Sequence, residues 1–91
     1  MMYSLQITKE AADNIANLPI KKKRQIKDAL LRICTDPAVG KFLTKKLSGL
    51  RSYRSGDHRI IYQILQKRIL IIILTVGHRK DVYKKISRKL F

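Results

Sequence analysis

Apolar and polar positions alternate at the start of the chain, where Tyr3, Leu5 and Ile7 are separated by Ser4 and Gln6. A period of two predicts a half-buried strand over residues 2–7. The period then lengthens. Ala11, Ala12, Ile15, Ala16 and Leu18 predict a helix capped by Thr8, with Glu10 set against the dipole of its first turn. Pro19 suits the first turn of a second helix, on which Ile26, Ala29, Leu30, Ile33 and Cys34 form one apolar stripe until Asp36-Pro37 stops it. The two helices predict an antiparallel hairpin lying on one face of a sheet.

Residues 38–50 read as an irregular basic connection, broken at Gly40 and Gly49 and anchored by Leu47 and Leu50. A strand over residues 51–54 then enters the turn Ser55-Gly56-Asp57, a second strand covers residues 58–65, Gln66-Lys67-Arg68 turns again, and a third strand covers residues 69–76. Turns this short predict an antiparallel meander. The last strand is apolar on both faces, so it should be central and covered twice. Beyond Gly77 a short helix is expected over residues 80–90, with Val82, Ile86 and Leu90 on one side and Lys84, Lys85, Arg88 and Lys89 elsewhere. The expected fold is one α+β domain over residues 1–91. An N-terminal strand and two-helix hairpin pack on a small, mostly antiparallel sheet, followed by a short C-terminal helix.

Charge changes the picture from fold to partner. The 91 residues carry 21 Lys and Arg against 6 Asp and Glu, a net of +15. From Lys41 onward there are 14 basic and 2 acidic residues, so +12 of that charge lies in the later half. Such a field attracts polyanions, nucleic acid first, then an anionic membrane or an acidic protein. The single Cys34 excludes an internal disulfide and a multi-cysteine zinc site, and its place on an apolar stripe assigns it to packing. No basic leader opens the chain, and the longest apolar run, residues 69–74, is too short to span a bilayer. A cytosolic protein without a membrane partner is expected.

Candidate chemistry is correspondingly narrow. His58 and His78 are the only histidines and have no acidic or cysteine partner at ligand spacing, so no metal site is expected. There is no P-loop, no dinucleotide fingerprint and no cofactor signature. Asp57 and Asp81 have turn and helix-start roles, so acid–base work would fall to Arg, Lys, His and Tyr. Cleavage of RNA needs little more, because the substrate's 2′-hydroxyl is its own nucleophile and cations can stabilise the charge that develops on phosphate. Strand parity places His58, Ile60, Tyr62 and Ile64 on one face and Arg59, Ile61, Gln63 and Leu65 on the other. If the hairpin covers the first face, Arg59 projects from an open one, where Arg79 can reach it and Tyr83 can stack on a base. His58 reads equally as a rim residue or a proton shuttle, and His78, beside Arg79, has the somewhat better claim to proton transfer. Lys21-Lys22-Lys23-Arg24 reads either as a solvated face or as an RNA backbone contact.

Two stretches, YRSGDHRIIYQI over residues 53–64 and LTVGHRKDVY over residues 74–83, together resemble the RelE branch of the RelE/ParE toxin superfamily. The resemblance extends over essentially the whole chain. It implies a ribosome-dependent endoribonuclease that cuts messenger RNA in the ribosomal A site, held in check by a RelB-like antitoxin in a hetero-oligomeric complex. By position, Arg59 would stabilise the transition state, Arg79 the phosphate and the leaving group, and Tyr83 would orient the substrate. Where characterised members carry two lysines on the strand before the turn, this chain has Ser52 and Arg54. Arg54 can supply charge but is a poor base. Proton transfer then rests on Lys46, His58 or His78 in addition to Arg54. Lys45, Lys46, Arg51, Lys80 and Lys84 are candidate RNA contacts. Two other readings share the scaffold: a ParE-like inhibitor of DNA gyrase, and a non-catalytic protein that binds RNA or the ribosome. In any toxin reading the open face of the sheet should receive the antitoxin.

Overall fold

The computed structural model describes residues 2–90, with side chains through Ile86. Strand β1 (Ser4–Ile7) leads into helices α1 (Lys9–Ala16) and α2 (Ile20–Thr35). A connection containing the two-residue strand β2 (Lys41–Phe42) follows, then β3 (Arg51–Ser55), β4 (His58–Leu65), β5 (Leu70–His78) and helix α3 (Val82–Leu90). The five strands form one sheet in the order β1-β5-β4-β3-β2. The expected meander is present, with β3, β4 and β5 antiparallel in turn, while β1 joins β5 in parallel, Ser4 beside Leu70. Strand β5 is internal, as its apolar character on both faces required.

The local signals explain most boundaries. Thr8 caps α1, its Oγ1 accepting from the Ala11 amide and donating to the Ile73 and Leu74 carbonyls at 2.9 Å each. One side chain thus starts a helix and ends a strand pairing. Pro19 stands just outside α2 in extended geometry, one position earlier than expected. Gly56, at φ +63°, makes the tight turn between β3 and β4. Ile69 takes a left-handed φ of 50° to close the next turn, so β5 begins one residue later than its apolar run. Strand β5 also runs on through Gly77 to His78, because Arg59 and His58 pair with them. Beside Ile61 and Tyr62 the register with β5 slips by one, passing from Thr75 to Ile73. Past the end of β1, Asn14 of α1 closes the edge of β5, its Oδ1 accepting from the Val76 amide at 3.1 Å and the Thr75 hydroxyl at 3.0 Å.

The sheet is packed on both faces. The larger core joins Ala11, Ile26, Ala29, Leu30 and Ile33 of the helices to Ile60, Tyr62, Ile71, Ile73 and Val76. The whole predicted α2 stripe is buried, and burial pushes the Cys34 thiol pKa up, leaving it a packing residue. Of the predicted α1 face only Ala11 is fully buried; Ile15 and Leu18 are half-buried, and Ala12 and Ala16 are exposed. Ile7 is also exposed, because β1 is an edge strand. The second core joins Leu50 and Ile61 to Val82 and Ile86 of α3, with Leu43, Leu47, Leu74 and Tyr83 around them. The expectation of an open face is thus corrected. Val82 and Ile86 sit one helical turn apart and close it, while the expected contributions of Arg88, Lys89 and Leu90 lie outside the described side chains.

Candidate functional site

The site residues are placed by pairing across β3, β4 and the end of β5. Arg59 lies opposite Arg54 on one side and Gly77 on the other, on the sheet face that carries Ile61. Helix α3 brings Tyr83 to the same face. Its ring centroid lies 5.9 Å from the Arg59 guanidinium carbon, and its hydroxyl donates to Ser52 Oγ at 3.0 Å. Ser52 is only 2% exposed, so this bond is shielded and fixes the ring. Ser52 went unassigned in the sequence reading. Its parity with Arg54 places it on this face, yet the partner that makes it useful comes from 31 residues away.

A cleft opens beside Tyr83, with a volume of about 420 Å³. Thr44, Lys45, Lys46 and Leu47 form one wall, and Tyr83 and Lys84 the other. Lys45 turns the chain here at φ 57°. Three of the expected RNA contacts, Lys45, Lys46 and Lys84, therefore line one cleft together with the tyrosine.

Arg51 is placed elsewhere. It pairs with Tyr62 on the helix-covered face, and its Nη1 donates to the Gly40 carbonyl at 2.7 Å and the Ala38 carbonyl at 3.4 Å. Its guanidinium carbon lies 3.7 Å from the centroid of Phe42. It clamps the connection before β2 and stands apart from Arg59. Tyr62, below it, is fully buried, donating to the Pro37 carbonyl at 2.6 Å and accepting from the Gly40 amide at 2.9 Å. Burial raises its phenol pKa above the ordinary value, so it remains neutral.

The two histidines meet each other at the end of the sheet. They are paired across β4 and β5 on the face of Ile60, with ring centroids 5.9 Å apart and edge to face. Asp57 stands between them and α2. Its Oδ1 lies 2.7 Å from Lys22 Nζ and 2.8 Å from His58 Nδ1, and its Oδ2 lies 3.8 Å from His78 Nε2. The hydrogen bond from Lys22, then that from His58, holds the Asp57 carboxyl well below the usual carboxylate range. The Lys80 amide donates to His78 Nδ1 at 3.3 Å, so the neutral ring carries its proton on Nε2, toward Asp57. Both proton-shuttle candidates are thus engaged away from Tyr83.

Backbone carbonyls of the same turn hold two arginine residues. Arg54 Nε donates to the Gly56 carbonyl at 2.9 Å, and the Arg79 amide donates to the Asp57 carbonyl at 3.0 Å. The side chains of Arg79 and Lys80 are exposed just beyond β5. Among the described residues, no cluster of His, Cys, Asp and Glu is placed to hold a metal ion, and no helix is long and apolar enough to cross a membrane.

A small antiparallel meander backed by a helix hairpin is the fold of a class of toxins. The chain belongs to the RelE/ParE toxin superfamily: the family model described as ParE toxin of type II toxin–antitoxin system, parDE, matches residues 4–83. It is a toxin of the type II toxin–antitoxin class. Among curated proteins it is 31% identical to Toxin RelG of Mycobacterium tuberculosis, over 93% of this chain and 100% of that one. It is 23% identical to the mRNA interferase toxin RelE of Escherichia coli, over 99% of each chain. Among solved structures it resembles a chain of the toxin–antitoxin complex RelBE2 from M. tuberculosis, with a TM-score of 0.80 and 30% identity over 87% of this chain and 100% of that one. A double arginine-to-alanine mutant of E. coli toxin RelE in the free state, at 19% identity and a TM-score of 0.78 over 100% of both chains, shares the fold.

Proposed function

We propose that this toxin is a ribosome-dependent endoribonuclease that cuts messenger RNA in the ribosomal A site and needs no metal to do so. The observation that carries the reading is the placement of Arg59 against a tethered Tyr83, between Arg54 and the end of β5 and next to a cationic cleft. In the reaction the 2′-oxygen bonds to the adjacent phosphorus and the bond to the 5′-oxygen breaks, leaving a 2′,3′-cyclic phosphate and a 5′-hydroxyl. Arg59 stabilises the added negative charge, an interaction of the kind that supplies the largest single share of many rate enhancements. Arg54 adds positive charge beside it, and Arg79 approaches the phosphate from the strand end and supports the leaving 5′-oxygen as it takes up a proton from water. Tyr83 stacks on the base. Lys46, across the cleft from Tyr83, takes the 2′-hydroxyl proton as the neutral amine. The ribosome supplies alignment, which in favourable cases is worth roughly 7 to 11 kcal/mol of barrier.

The likeness to the mRNA interferase toxin RelE of E. coli supports this reading. The name of the matched family model favours a second one, poisoning of DNA gyrase as a ParE-like toxin. On either reading the cognate antitoxin is expected to be a RelB-like chain with an acidic or amphipathic segment that masks Arg59 and Arg79 and displaces α3. Mapping mRNA ends after adding the protein to translating ribosomes should reveal cuts within A-site codons, lost in Arg79→Ala while the fold is kept. Intact codons at saturating protein, with gyrase trapped on cleaved DNA instead, would establish the second reading.

A further inference from the structure

Beyond the cleavage site, and resting on the reading just given, we infer that Asp57 and Lys22 act as positioning residues that hold the arginines of the site in register. The turn at Gly56-Asp57 is exposed, and a two-residue turn with Gly56 at φ +63° has little to keep it still. Its carbonyls nevertheless hold Arg54 Nε at 2.9 Å and the Arg79 amide at 3.0 Å, and Arg59 is paired directly with Arg54. Any movement of the turn is passed to all three residues. The Asp57 carboxylate counters that movement by fastening the turn to a different element, Lys22 of α2, at 2.7 Å. His58 Nδ1 at 2.8 Å holds the same oxygen from β4, and His78 lies against the other oxygen from the end of β5.

Electrostatics adds to the geometry. Arg54, Arg59, Arg79 and Lys80 converge on one end of the sheet, and their mutual repulsion would splay a turn held only by its backbone. Asp57 places a carboxylate at this turn, and Lys22 and the two histidines hold it on the side of α2, so it pairs with none of the four cations. A hydrogen bond between charged groups is the stronger kind, which suits a fastening at a half-exposed position.

The experiment compares Asp57→Asn, Lys22→Met and Lys22→Arg with the unaltered chain, using programmed ribosomes carrying a defined A-site codon. In Lys22→Met and Asp57→Asn, kcat per folded molecule should fall about 10-fold to 100-fold, as expected when reacting groups are misplaced by about an ångström. KM for the ribosome should be unchanged, and Lys22→Arg should restore kcat. A purely structural fastening would lower the melting temperature and leave kcat per folded molecule where it was, which would overturn the inference. A second arm reads the fastening without activity, by NMR exchange of the Arg54 Nε proton and the Arg79 amide. Faster exchange of both in Lys22→Met supports the inference; unchanged exchange overturns it. If the unaltered chain cuts no RNA the proposed function fails, and the exchange arm alone still decides whether Lys22 and Asp57 hold the arginines.

Discussion

The sheet carries a tyrosine on each face, and the two have been put to opposite uses. Tyr62 is completely buried under the helix hairpin, its hydroxyl shared between the Pro37 carbonyl and the Gly40 amide. Every polar atom is satisfied, so the ring is a strut that fixes the connection into β2. Tyr83, carried on α3, is half-buried against the sheet, with its hydroxyl on Ser52 and one side of the ring toward Arg59 and the cleft. The same chemical group is structural where it is sealed and available where it is not. The two arginines flanking them divide in the same way: Arg51 is spent on carbonyls and Phe42, whereas Arg59 faces a ring that a nucleotide can approach. The faces also differ in depth. Among the described residues, ten buried ones make the hairpin core and four the core beneath α3, so burial is concentrated on the face away from the proposed site.

The deepest test of that division is Ile33→Ala, which opens a cavity in the larger core and should cost about 2–5 kcal/mol in urea unfolding. Retained cleavage per folded molecule is expected, and a selective loss would break the comparison. Next comes Arg59→Ala. It should lower cleavage about 100-fold to 1,000-fold, on the scale of removing one preorganised donor, with the melting temperature unchanged. Arg51→Ala should do the reverse, losing stability and sparing kcat. Tyr83→Phe removes only the bond to Ser52 and should cost about 1 kcal/mol of stability, with a modest fall in kcat because the ring remains.

The smallest effect on stability is expected from Asp57. Its folded pKa is depressed, chiefly by the Lys22 hydrogen bond, so its contribution is present above the unfolded value of about 4 and fades as pH falls toward the folded one. Melting curves of Asp57→Asn and the unaltered chain should therefore differ at pH 6 and converge in acid. A gap that widened below about pH 4 would contradict the assignment.

Much of this was legible in the order of residues. The α2 stripe, the Thr8 cap, the meander and the parity that separates Arg59 from Ile60 all follow from local period and turn chemistry. What escaped was set by tertiary contact. Strand β2 is two residues long and has no period to detect. The spacing of Val82 and Ile86 announces a buried helix face but not the surface that buries it, so the sheet face they cover was expected to be open. Lys22 and Asp57 are 35 residues apart, and nothing local in either marks the pair. In the site, residue types and strand faces were readable, while the tether on Tyr83 and the diversion of the histidines toward Asp57 were not.

The parallel pairing of β1 with β5 has a consequence for how the protein comes into being. Ser4–Ile7 is synthesised before the hairpin helices, and its partner, Leu70 to Ile73, well after them. Chains emerge N-terminus first, so the hairpin helices leave the ribosome with their apolar stripe uncovered until β4 and β5 arrive. Closure must wait for a contact between segments far apart in sequence, the kind of pairing that slows folding. Tyr83 and the second core are added later still. The face that carries Arg59 and Tyr83 is therefore assembled only after β5 and α3 have both been made.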